Sequence, residues 1–346
     1  MNILCDRHQA DLFRAMQRMF EDRLGFRVWT PMGHEWWDDG VWRFGECFGD
    51  DRLAQQYIIP RDGVHTPTGQ GQWVTFDTAH PYTPIRCISL DAARSLGDWA
   101  FVVATVQENQ PGFARFAQEQ GARFVVQVGN TGQHIDWDLN PLVISSSEMP
   151  LTGRGVVAHQ EFDSGPSGAF SFADPEIADR RRVRNFVNLI DRIPQSWDDF
   201  LHAERELSPD GFHFYAHGHE GRDKVIQPSS KIADLMAGSG WGWHVKPVGD
   251  GFGHVLHGWA AVGRPLVGRS EYYVGKLGEP LWEDLVTCVD LSVHPIDEAI
   301  RLVREISADA ERHAGMCRAI RARFDSLVDY DRDERRVREL LGLAVG

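Results

Sequence analysis

Short apolar runs alternate with amphipathic stretches twice along this chain, and that repeated alternation constrains the fold more than any other feature. Apolar runs without polar alternation read as strands buried on both faces, which a parallel sheet flanked by helices requires. In the first series Asn2 to Cys5 is a strand, Leu12, Met16, Met19 and Phe20 line one face of a helix, and Phe26 to Trp29 is the next strand. Over 31–84 the pattern breaks into Gly, Pro, Trp and Asp and reads as an irregular insertion. Alternation resumes with strand Cys87 to Ser89, a helix over Leu90 to Leu96 and strand Ala100 to Thr105. Pro111 then opens a helix that runs to Gln120, followed by strands Arg123 to Val128 and Leu142 to Ser145.

From Arg154 to Asp174 a Gly-, Ser- and Pro-bearing stretch reads as a linker, and a second series follows. Its expected strands are Val183 to Ile190, Phe212 to Ala216, Trp243 to Lys246, Pro265 to Val267 and Val286 to Leu291. Its expected helices are Trp197 to Leu207, Lys231 to Met236, His254 to Val262 and Ile296 to Ile306. The expectation is an α/β chain with two Rossmann-like parallel-sheet domains facing a cleft, over 1–170 and 175–330. A last helix in 331–346 is expected to pack back on the first domain. In such sheets ligands bind outside the carboxyl ends of the strands.

A length of 346 residues suits two domains. The net charge of -14, from 36 Lys and Arg against 50 Asp and Glu, disfavours a general nucleic-acid binder but leaves room for a local basic cleft. The densest basic cluster, Arg180 to Arg182 with Arg184, lies beside the linker and reads as a solvated face. Five scattered cysteines without a C-x-x-C pair point to reduced thiols, with no zinc site and no disulfide frame. The opening MNILCDRHQADLF holds too short an apolar run for a signal peptide. No stretch approaches the roughly 18 to 20 apolar residues of a transmembrane segment, so the expected location is cytoplasmic.

The segment from His244 to Gly268 carries most of the chemistry. A buried strand ends at Lys246-Pro247, and the loop Gly249-Asp250-Gly251-Phe252-Gly253 feeds a helix opened by His254. Glycines let backbone amides approach an anion, and the positive helix end stabilises it. Lys246 is placed to neutralise a phosphate and Asp250 to accept hydrogen bonds from sugar hydroxyls.

An acidic residue before Gly251-Phe252-Gly253, with Gly263-Arg264-Pro265 ten residues later, resembles the C-terminal signature of GT-B glycosyltransferases related to family 4. The resemblance implies GT-B architecture, with an acceptor domain first and a donor domain second. It implies an enzyme of the hexosyltransferase class that uses a nucleoside diphosphate sugar as co-substrate, with no tightly bound cofactor and no metal. Asp250 matches the acid that contacts the transferred sugar. A second acid usually follows eight positions later to hold the ribose; here that position is Gly258, between His257 and Trp259. Arg192, after the first strand of the second series, stands where such enzymes place a phosphate-binding arginine. Lys224, Arg269, Tyr272 and Lys276 follow other strand ends and are further donor-side candidates.

On the acceptor side Asp6 or His8, beyond the first strand, are candidate bases, with helix capping as the alternative for Asp6. The aromatic and acidic run His34 to Trp42 suits either sugar stacking or a buried cluster. Asp136-Trp137-Asp138 matches the D-x-D metal motif of the GT-A fold, which the second α/β series argues against. A glycan, a small molecule and a hydroxylated DNA base all remain open as acceptors. Two rival readings are a sugar-nucleotide epimerase on the same fold and a non-catalytic binding module.

Overall fold

The computed structural model describes residues 1–7, 10–31, 65–69, 71–76, 84–147, 152–188, 190–218 and 221–344. The chain divides into two compact units, Met1–Phe162 with Tyr330–Gly346, and Asp163–Asp329. Among the described residues no helix is long and apolar enough to cross a membrane.

The first unit begins with β1 (Asn2–Cys5) and α1 (Ala10–Gln17), which runs on as a π-helical turn over Arg18–Arg23. Next come β2 (Arg27–Pro31), β3 (His65–Gly69), β4 (Gln72–Phe76), β5 (Pro84–Ile88), α2 (Leu90–Leu96), β6 (Trp99–Ala104) and α3 (Gln110–Gln120). The unit continues with β7 (Arg123–Val128), β8 (Leu142–Ser145) and β9 (Gly155–Val157). The strand order is β3-β4-β5-β2-β1-β6-β7-β8-β9, parallel from β5 to β9 and antiparallel from β3 to β5. Both faces are covered, since consecutive residues enter different cores: Ile3 packs with Phe13, Phe20 and Val103, whereas Leu4 packs with Val102, Phe113 and Val126.

Two expectations need correction here. Part of the 31–84 insertion is regular, because β3 and β4 extend the sheet as a meander. The expected linker also starts with structure: Gly155–Val157 pairs with β8 as the edge strand β9. The run His34 to Trp42 lies outside the described residues, as does His8. Asp136 accepts the amide of Asp138 at 3.1 Å and caps a short 3-10 turn over Trp137–Leu139.

In the second unit β10 (Asp179–Asn185) leads to α4 (Pro194–Leu207), β11 (His213–Ala216), α5 (Ser229–Ala237) and β12 (Ser239–His244). Then come α6 (His254–Val262), β13 (Leu266–Gly268), β14 (Cys288–Asp290), α7 (Ile296–Ala308) and α8 (Ala310–Leu327). The last helix, α9 (Tyr330–Leu340), belongs to the first unit, where Val337 and Leu341 join its core. The second sheet has the order β11-β10-β12-β13-β14 and is parallel throughout.

The expected strand Val183 to Ile190 therefore sits too late: β10 takes in Arg180 to Arg184, of which Arg181 is exposed and Arg184 buried. β12 likewise starts at Ser239, because Gly240 and Gly242 dilute the apolar signal of a strand whose buried bulk is Trp241 and Trp243. Helix α8 was not anticipated. Its buried stripe is His313, Met316, Cys317, Ile320 and Phe324, in which a histidine and a cysteine disguise helical spacing, and Asp309 caps it by accepting the Arg312 amide.

Asp6 shows what the reversal of strand order demands in the first unit. The chain leaves β1 toward β2 on one side and β6 on the other, so the carboxyl ends of β1 and β6 meet there. The fully buried Asp6 carboxylate bridges that gap. It accepts the Thr105 amide and hydroxyl, both at 2.6 Å, the Asn109 side-chain amide at 2.9 Å and the Val106 amide at 3.3 Å. Four neutral donors do not fully replace water, so burial pushes the acid up to about 6 against their opposing effect. The folded value lies above the unfolded one, so this group's contribution is full below about pH 4 and is lost as pH rises through 6. Urea unfolding is expected to show wild type losing about 2–3 kcal/mol more than Asp6→Asn between pH 4 and 7. Parallel pH profiles for the two proteins overturn this account.

Candidate functional site

Parallel pairing brings the carboxyl ends of β10, β12 and β13 to one edge, and the strand order reverses between β10 and β12. At that edge β12 ends in His244, and the loop through Lys246 and Asp250 returns to α6. β13 ends at Gly268 and leads to a 3-10 turn over Ser270–Tyr273.

The two loops are joined through one carboxylate. Asp250, mostly buried, pairs with the half-exposed Lys246 ammonium and accepts the Tyr273 hydroxyl at 3.3 Å. His244 Nε2 lies 3.4 Å from Asp250 and 2.7 Å from the Tyr273 oxygen. Burial alone pushes the Asp250 acid up, but the contact with His244 and the Lys246 charge outweigh it and hold the group well below the usual carboxylate range. The same burial, with Asp250 alongside, pushes the Tyr273 phenol well above its ordinary value. Asp250 is thus an ionised carboxylate and Tyr273 a neutral donor.

Lys276 fastens the loop from the other side. Its ammonium donates to the carbonyls of Val248 and Tyr272 and lies 5.8 Å from the centre of the Tyr273 ring. Burial lowers its pKa, with Asp250 opposing and Lys246 adding to the effect. The backbone beneath is unusual: Val248 has φ +67° and Gly249 φ +68°. A β-branched residue in the left-handed region is a strained turn. A Cβ on Gly249 collides with the Tyr272 carbonyl and the Lys276 ammonium, so only glycine fits there.

Helix α6 starts on Gly253, in a left-handed conformation, with no side-chain cap on its first amides. Phe252 anchors this start: its buried ring stacks on His257 at 4.0 Å and meets His254 edge-on at 5.0 Å.

Of the donor-side residues expected from sequence, the structure gathers Lys246, Gly249, Asp250, Gly251, Phe252, Gly253, His254, Tyr272 and Lys276 in these two loops. Arg269 is turned inward, donating to the Leu291 carbonyl and to Asp199, both at 3.0 Å, and so braces β13 against α4. Arg192 is exposed in a 3-10 turn after β10. Lys224 is exposed at φ +67°, its carbonyl accepting the Gly218 amide. Asp6 belongs to the other unit, where its four bonds are to that unit's own loop. Two residues escaped sequence reasoning, His244 and Tyr273. A polar residue closing an apolar strand was the available signal for His244. Tyr273 had none that separates it from Tyr272.

The structure also explains Gly258. A Cβ built there stands 3.1 Å from the Phe170 ring and 3.4 Å from the Met236 sulfur. The segment entering this unit lies along α6: the Ala173 amide bonds the Val262 carbonyl at 3.2 Å. Arg264, fully buried, holds it there by donating to the carbonyls of Ala173, Asp174 and Ala237. A carboxylate at 258 would start against an aromatic ring and a thioether.

No protein-family profile matches the chain, and no curated protein matches it. Solved structures do. The Anabaena protein Alr3699/HepE in complex with UDP and glucose is 15% identical, with 99% of each chain covered and a TM-score of 0.62. An alpha-glucosyltransferase in complex with UDP and a 13-mer DNA containing an HMU base is 10% identical, covering 99% of this chain and 98% of that one, with a TM-score of 0.65. The alpha-glucosyltransferase in complex with UDP-glucose and DNA containing an abasic site is 11% identical over the same shares, with a TM-score of 0.62. The fold shared with these structures is the GT-B fold, over the whole length of the chain.

Gly258→Glu is expected to destabilise the protein by about 2–4 kcal/mol, through overpacking and a buried unpaired charge. A melting temperature equal to that of wild type shows that the space beside α6 is open.

Proposed function

We propose that this chain is a glycosyltransferase that moves a sugar from a nucleoside diphosphate sugar to an acceptor hydroxyl, with the donor held by the loop between β12 and α6. The observation that carries the reading is the ionised, mostly buried Asp250 between Lys246 and Lys276 at the uncapped start of α6. Such a loop meets both halves of a sugar nucleotide. Asp250 accepts from sugar hydroxyls, while the α6 amides and the two ammonium groups face the diphosphate. As the glycosidic bond breaks, negative charge grows on the leaving diphosphate, and donors fixed beforehand stabilise it most. Lys246 now bonds Asp250 and Lys276 bonds the Val248 and Tyr272 carbonyls, and a phosphate oxygen, which carries charge, is a stronger acceptor than a carbonyl.

Solved proteins of this fold are complexed with UDP, UDP-glucose or both UDP and DNA, which supports a uridine nucleotide as the first donor to test. Glycan, small-molecule and hydroxylated-DNA acceptors enter as parallel arms of the assay. An epimerase turns over the donor alone, whereas a transferase needs one of these acceptors.

A thermal-shift series over nucleoside diphosphates and their sugars is expected to show stabilisation by at least one of them. Transfer or donor hydrolysis then falls about 100-fold in Asp250→Ala and more modestly in Lys246→Ala. The donor-site reading fails if no nucleotide stabilises the protein, or if both variants turn over like wild type.

A further inference from the structure

The two oxygens of Asp250 have different surroundings. Oδ1 pairs with Lys246, whose ammonium is half-exposed. Oδ2 lies among buried groups: Tyr273 donates to it at 3.3 Å, and His244 Nε2 is 3.4 Å away. A Cβ built on Gly253 would stand 3.2 Å from the same oxygen. Oδ2 is thus walled in by a tyrosine, a histidine and a glycine, while Oδ1 meets the one side chain that reaches solvent.

The order of the bonds at Oδ2 follows from what each group can give. An ionised carboxylate only accepts, so the single hydroxyl proton of Tyr273 goes to Oδ2. The Tyr273 oxygen, 2.7 Å from His244 Nε2, then accepts, which assigns a proton to Nε2. His244 Nδ1 is buried with no hydrogen-bond partner among the described residues, so the ring acts through Nε2 alone. The chain therefore runs one way, from Nε2–H to the Tyr273 hydroxyl to Oδ2.

Packing holds this chain in place. His244 pairs in register with Gly268, and a side chain on Gly268 would run into the His244 carbonyl and the Trp282 ring. Tyr273 stacks on Trp282 with ring centres 5.0 Å apart, and His244 lies 6.4 Å from the same ring. The indole packs against both donors and restricts their swing. The last torsion of an aspartate is otherwise broad, and a carboxylate anchored by one oxygen loses that freedom. A ligand hydroxyl then finds Oδ1 already aimed, with less ordering left to be done on binding.

We propose that His244 and Tyr273 are positioning residues for the donor sugar: acting through Oδ2, they hold the Asp250 carboxylate with Oδ1 presented to a sugar hydroxyl. This role presupposes the donor site proposed above and assigns the two residues to the sugar rather than to the nucleotide.

The test is calorimetric titration of the full chain with UDP and with UDP-glucose. Wild type is compared with Tyr273→Phe, which removes the middle link, and His244→Leu, which removes the first. His244→Gln places an amide donor near the position of Nε2. Circular dichroism checks that each variant is folded, and UDP, which lacks the sugar, reports whether the rest of the site survives. UDP-glucose is expected to bind Tyr273→Phe and His244→Leu about tenfold more weakly than wild type, and His244→Gln within about threefold, with UDP binding unchanged throughout. Equal weakening of UDP and UDP-glucose means that the two residues only support the fold, and the positioning role falls while the donor site stands. UDP-glucose binding at the wild-type level in every variant has the same consequence. Equal losses in His244→Gln and His244→Leu overturn the chain through Nε2. A wild type that binds neither ligand overturns the uridine donor reading, and the positioning role with it.

Discussion

Parallel pairing is the constraint from which the candidate site follows. In the second sheet every strand runs the same way, so β10, β11, β12 and β13 all deliver their next residues to one edge. Backbone groups in the strands are saturated by their neighbours, but the loops beyond are not, and polar side chains gather where those loops begin. His244 ends β12, Arg184 stands one residue before the end of β10, and Arg269 follows β13. Each was placed by the sheet before any ligand is considered. Arg269 spends its donors on Asp199 and the Leu291 carbonyl, which leaves His244, Arg184 and the loop lysines to define the edge.

Two buried carboxylates show how the same edge yields different chemistry. Asp6 and Asp250 both lie beyond strands that flank a reversal of strand order. Asp6 meets only neutral donors, and desolvation wins, raising its pKa to about 6. Asp250 is also penalised by burial, but a cation and a histidine stand against it, and it stays ionised. The difference is the His244 contact joined by the Lys246 charge, which together outweigh the cost of burial that neutral donors alone leave uncompensated at Asp6. Asp6 is suited to tying two loops, whereas Asp250 is suited to receiving donors from something that comes and goes.

Much of the frame was legible because apolar runs carry period and length together. Asn2–Cys5, Arg123–Val128, Leu142–Ser145 and His254–Val262 have the bounds that their patterns predict. Failures came where the apolar signal was diluted. Glycines hid the first half of β12, arginines hid the first half of β10, and His313 with Cys317 masked the stripe of α8. In β10 tertiary contacts supply what the local pattern lacks: Arg182 and Arg184 are tolerated in an interior strand because their side chains meet a carbonyl, an aspartate and an aromatic ring rather than apolar core. The loop around Asp250 was legible through glycine spacing, because tight turns demand particular residues. His244 and Tyr273 were not, because their importance arises from a loop packed beside them and separated in sequence.

Gly258 closes the argument about what α6 can offer. Its flank is covered by Phe170 and Met236, and the covering segment is locked by an arginine whose guanidinium is spent on carbonyls. An acid on that flank would have to displace the segment that Arg264 holds. Helix α6 therefore presents its amino end and not its side. Side walls at this edge are left to the loops after β10 and β11, where Phe186 and His217 stack and Arg184 stands beside them.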